Sequence, residues 1–80
     1  MKIPAIKKLI ETYSLEELTA AEEALMEEQP LAIEVEGSDE GEQLTHVYAA
    51  IWIINYMNDS EADFKTALRE YTKKVRVSIN

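Results

Sequence analysis

The sequence predicts a mainly α fold: a small four-helix array around a central apolar helix (about 42–57), with one short extended or β segment (about 31–36). Three observations carry this. Apolar residues recur at spacings of three and four across residues 3–13, 15–25 and 64–75. Helix-start signals stand where those patterns begin. Only residues 31–36 switch to strict alternation, and a polar loop with both glycines follows them.

The first helix carries Ile3, Ile6, Leu9, Ile10 and Tyr13 as one stripe, with Pro4 in the first turn, where its missing N–H costs nothing. Ser14-Leu15-Glu16-Glu17 reads as a capping box opening the second helix. That helix sets Leu15, Leu18, Ala21 and Leu25 against Glu16, Glu17, Glu22, Glu23, Glu27 and Glu28, and it is expected to stop before Pro30. Leu31, Ile33 and Val35 alternate with Ala32, Glu34 and Glu36, the period of a half-buried strand. A lone strand cannot satisfy its backbone. It could pair with an extended 75–79 tail, pair with the same segment of a second subunit, or lie on the helices without sheet bonds.

The third helix is apolar nearly all round, as a central helix must be. It holds Leu44, Val47, Tyr48, Ile51, Trp52, Ile53, Ile54, Tyr56 and Met57, and its four β-branched residues leave a strand open in the middle. Asn58-Asp59-Ser60 is expected to break it, and Ser60 with Asp63 to cap the fourth helix. That helix shows Phe64, Ala67, Leu68, Tyr71 and Val75 as its stripe. Acids at its start (Asp59, Glu61, Asp63) and bases near its end (Lys73, Lys74, Arg76) suit the helix dipole. Val75, Val77 and Ile79 also alternate, so the tail could run extended.

At 80 residues the chain is one domain, 1–80, and buries only roughly 60–65% of its unfolded surface. A partner subunit would help such a core. With no cysteine, disulfides, thiolate metal sites and thiol catalysis are excluded. The longest apolar run, Val47 to Ile54, is far too short to span a bilayer. No sustained apolar stretch follows Lys2, so no signal peptide is expected and the chain reads as cytoplasmic. A net charge of −8 disfavours nucleic acid and anionic membrane as partners. The charge is also segregated: residues 1–8, 9–64 and 65–80 carry +3, −15 and +4, with no Lys or Arg in the middle block. Such blocks suggest complementarity within or between subunits, with the basic fourth helix near the acidic second, or an acidic face from Glu16 to Glu42 for a basic protein. Solvated faces of little energetic consequence are the plain alternative.

Candidate chemistry is sparse. Glu36 to Gly41 places oxygen ligands at alternating positions with Gly sixth, as in a calcium loop, but Glu stands first and Val47 occupies the twelfth position, where a bidentate Glu is required. His46 and Glu42 share a helical face and, with Asp39, form a weak metal fragment short of a closed site. The ordinary reading of His46 is a capping or surface histidine. Ser14, Ser38, Ser60 and Ser78 fit caps and turns, and no phosphate loop or nucleophile elbow occurs. The carboxylates lie on polar faces, without the apolar pocket a general acid needs. No enzymatic activity and no cofactor are expected. Large aromatics at core spacing pack first of all, but Trp52 and Tyr56, with Ile33 and Val35 of the alternating segment, are candidate subunit contacts of a homodimer.

Three stretches carry a resemblance: Met1 to Leu9, Glu40 to Ile53 through Glu42, His46 and Trp52, and Asp63 to Thr72. In these the chain resembles a family of short acidic Bacteroidetes proteins of unknown function. The resemblance implies a free-standing cytoplasmic bacterial protein and brings no activity, cofactor or catalytic residue. The function expected is thus a non-enzymatic, homodimeric interaction module. The alternative is a small-ligand or metal-binding protein using the acidic loop and His46.

Overall fold

The computed structural model describes residues 2–79, with side chains as far as Val75. Four helices form among them: α1 (Ile3–Thr12), α2 (Leu15–Met26), α3 (Glu40–Ser60) and α4 (Phe64–Ile79). Pro4 sits in the first turn of α1, which buries Ala5, Ile6 and Leu9. The capping box then starts α2: Ser14 Oγ accepts from Glu17 N–H at 3.1 Å and Glu17 Oε1 accepts from Ser14 N–H at 2.9 Å. Two of the helix's orphan donors are satisfied reciprocally.

Helix α2 stops before Pro30, as the sequence predicts, and finishes at Met26. Glu28 takes a left-handed conformation (φ 56°), and Gln29 N–H and Glu28 N–H reach back to Ala24 C=O at 2.7 Å and Leu25 C=O at 3.3 Å. This is a Schellman closure made with Glu in place of the usual Gly. Helix α3 continues through Asn58, Asp59 and Ser60, the residues expected to break it, and ends where Glu61 turns left-handed (φ 52°). Exposed polar residues in a last turn do not stop a helix unless the backbone leaves αR. Asp63 alone caps α4, its Oδ1 accepting from Thr66 N–H at 2.8 Å, and that bond above all holds the carboxyl below its ordinary acidity range. The backbone of α4 stays helical to Ile79, so no extended tail offers itself as a strand; the side chains of Arg76, Val77 and Ile79 lie outside the described residues.

The expected short extended segment at 31–36 is not a strand, and there is no strand among the described residues. Its polar backbone is held by side chains of α3 and by Tyr13, just past the end of α1, instead of a neighbouring strand. Tyr13 Oη accepts from Glu34 N–H at 3.3 Å, Gln43 Nε2 donates to Val35 C=O at 3.0 Å, and His46 Nδ1 bonds Glu36 C=O at 2.7 Å. Alternation here reflects which side chains face the helices: Val35 is buried, Leu31 and Ile33 are half-buried, and Ala32, Glu34 and Glu36 are exposed.

Helix α3 is the axis. Each of the other three helices packs chiefly on it. Its Val47, Ala49, Ala50 and Ile53 join Ile6 and Leu9 of α1, Leu18, Ala21 and Leu25 of α2, and Ala67 and Tyr71 of α4 in one buried cluster. The alanines let backbones approach closely, and the molecule is only 19 Å thick along its shortest axis against 32 and 29 Å along the others.

Candidate functional site

Three helices around one do not close the circle. Helices α2 and α4 flank α3, and the strip of α3 between them stays open. Leu44, Tyr48, Trp52 and Tyr56 follow one another at intervals of four, forming one ridge that crosses this strip over roughly 18 Å at the α-helical rise. Tyr48 is 43% exposed, and Met26 of α2 beside it is 69% exposed. Between them lies a shallow groove of about 450 Å³ lined by Glu22, Met26, Leu44, Thr45, Tyr48 and Tyr71.

Tyr71, buried behind the ridge, fixes it from α4. Its ring meets Trp52 at 5.6 Å and Tyr48 at 6.4 Å between centroids, both tilted, while Trp52 and Tyr56 stack at 5.2 Å and 14°. Burial, with Tyr48 nearby, pushes the Tyr71 phenol above its ordinary range. Lys74 closes the α4 margin with its Nζ 5.9 Å from the Tyr48 centroid. At the far end of the strip Asn55 and Asp59 line a smaller depression with Trp52 and Tyr56. The opening is therefore apolar at its start, with Glu22 on one margin and Lys74 on the other, and polar at its end.

The four interface candidates divide. Trp52 and Tyr56 stand on the ridge, half-buried. Val35 is 6% exposed and belongs to the chain's own core. Ile33 lines a separate groove against α2 with Ala20, Ala24 and Pro30. Met26, Tyr48 and Leu44 complete the exposed patch. The spacing 44–48–52–56 was the signal for four of its members; Met26 had none, because nothing in α2 says which flank a neighbour leaves open.

The acidic loop has another use for its oxygens. Asp39 Oδ1 caps α3 through Glu42 N–H at 2.8 Å, and Glu42 Oε1 accepts from Ser38 N–H at 3.0 Å. That second bond is the main reason the Glu42 carboxyl lies below its ordinary range, with Lys2 adding to it. His46, expected at the surface or in a cap, is fully buried. It shares the inner face of α3 with Ala49, Ala50 and Ile53, positions three, four and seven residues on. Its two nitrogens take complementary roles. A carbonyl only accepts, so Nδ1 carries the proton donated to Glu36 C=O, and Nε2 is the bare nitrogen accepting from Lys2 N–H at 3.0 Å. A metal at His46 would have to displace one of these bonds, and no three His, Cys, Asp or Glu side chains converge on a metal position among the described residues.

Gly37 sets how closely this loop meets α3. A Cβ there would lie 2.7 Å from Gln43 Cγ and 2.8 Å from Gln43 N, the latter fixed in the first turn of the helix. Gly37→Ala should therefore cost about 1–3 kcal/mol in urea unfolding, the usual range for overpacking. Gly41→Ala, whose Cβ meets nothing nearer than Asp39 Oδ1 at 3.4 Å, should leave stability unchanged or slightly raised.

No helix among the described residues is long and apolar enough to cross a membrane. Neither the curated proteins nor the solved structures contain a match to this chain. Over residues 1–80 the chain does match one family, DUF6952, described as a family of unknown function, and it belongs to that family.

Proposed function

We propose that this protein is a non-enzymatic interaction module that works as a homodimer through the open strip of α3. The observation that carries this is the ridge Leu44–Tyr48–Trp52–Tyr56, with Tyr48 exposed, the other three half-buried, and the exposed Met26 of α2 beside it. Exposed aromatic and methionine side chains held rigidly by packing are the material of interface centres. The chemistry of the acids points the same way. Glu42 and Asp63 are both displaced toward stronger acidity by cap hydrogen bonds, opposite in direction to a general acid.

Sedimentation velocity over a range of concentrations tests the reading. The expected species has twice the 9.1 kDa mass of one chain and dissociates on dilution. Tyr48→Glu should shift it to the monomer. Because Tyr48 is exposed in the protomer, the variant's far-ultraviolet circular dichroism should remain that of the parent. A mass of one chain at every concentration overturns the proposal.

A further inference from the structure

Tyr71 brings a hydroxyl into a core that is otherwise aliphatic. The residue is 3% exposed, its ring held against Trp52 and Tyr48 of α3. Its hydroxyl makes no hydrogen bond among the described residues. Half-buried Tyr13, by contrast, uses its own to hold Glu34 N–H. No side-chain oxygen sealed from solvent lacks a partner among those residues, so the Tyr71 oxygen is not sealed. The small exposed remainder of Tyr71 therefore includes the hydroxyl, and the residue lines the groove between Met26 and Tyr48. The other polar groups of that groove do not engage it. Thr45 donates to Gly41 C=O at 2.9 Å, and Glu22 stands on the α2 wall without a bond to Tyr71. Burial above all, with Tyr48 nearby, keeps the phenol above its ordinary range, so it is protonated and a donor at neutral pH.

Resting on the self-association proposed above, we infer that Tyr71 sets the register of that contact, its hydroxyl donating a hydrogen bond to an oxygen acceptor that the second copy brings into the groove. The groove is continuous with the ridge, since Leu44 and Tyr48 belong to both, so a copy seated on the ridge covers the groove as well. While the groove is open, water satisfies the hydroxyl. Covering it expels that water, and a donor then left without an acceptor costs roughly tenfold or more in affinity. An apolar row alone gives adhesion with little choice of register. A donor fixed at one end of the row penalises every register but the one that meets it. The packed ring makes this inexpensive, because Trp52 and Tyr48 hold the side chain before any partner arrives. In a two-fold contact the bond forms twice.

Tyr71→Phe removes one oxygen and keeps the ring, so it separates this role from packing. Sedimentation of the native chain and the variant over the same concentrations should show the dimer Kd raised about tenfold or more by the substitution. Urea unfolding below the dimer Kd should give the two proteins the same midpoint, because the hydroxyl makes no bond within the protomer. An unchanged dimer Kd overturns the assignment and leaves the hydroxyl to water or to another occupant of the groove, with self-association standing. A midpoint that falls together with the dimer overturns it too, since the oxygen would then serve the protomer's own packing. A native chain that stays monomeric at every concentration overturns the reading beneath it as well.

Discussion

Truncating Ile53 to alanine should remove about 2–5 kcal/mol of folding free energy, the range for deleting a buried aliphatic side chain and leaving its cavity. Ile53 is wholly buried near the middle of α3, the helix on which the other three pack. A cavity there cannot be closed by one helix moving inward, because each neighbour is tied to the same axis. Total stability for a chain of this length is only about 4–12 kcal/mol. One side chain therefore controls about a sixth of it or more. Ile54, the next residue, is only half-buried and forfeits less area, so Ile54→Ala should cost less than half as much. Urea unfolding of the two variants, with the slope unchanged from the parent, checks the ratio. Equal losses would mean that the α3 core is not packed as described.

That contrast shows what periodicity reads well and where it stops. The stripes of α1, α2 and α4 were legible because each helix has one wet face, so apolar spacing and exposure carry the same information. Helix α3 was legible as central for the opposite reason, being apolar nearly all round, and the same uniformity concealed which strip α2 and α4 leave open. Pro30 announced that α2 must stop, but the left-handed closures at Glu28 and Glu61 were illegible because glutamate carries no compositional signal for them; Gly or Asn would have. Residues 31–36 misled in an instructive way. Alternation requires only that one side of an irregular chain face a core, and it says nothing about what bonds the backbone. The bonds come from Tyr13 just past the end of α1 and from Gln43 and His46 on α3, three polar side chains each with an ordinary local explanation when read alone. The metal fragment at Asp39, Glu42 and His46 rested on spacing along one helix. Caps and backbone contacts engage all three residues.

His46 is where this matters most, and replacing it by leucine should destabilise the fold by about 2–3 kcal/mol, against what hydrophobicity alone suggests. Leucine is similar in size and apolar, and the site is wholly buried, so area bookkeeping predicts a gain. The imidazole, however, bridges two chain segments far apart in sequence. It accepts from the backbone N–H at the entry to α1 and donates to the carbonyl of Glu36 on the chain leading into α3. Leucine leaves both groups without a partner, at about 1–3 kcal/mol for a buried one and less where water reaches it. Lys2 and Glu36 are themselves exposed residues, which places the sum toward the lower end. Two measurements check the argument together. Urea unfolding reads the sign, and a leucine variant as stable as the parent would show that these bonds contribute nothing net. A long-range nitrogen-15 spectrum of the parent reads the tautomer, with the ring proton expected on Nδ1. A proton on Nε2 would place one donor against the Lys2 N–H and remove the bridge on which the prediction rests.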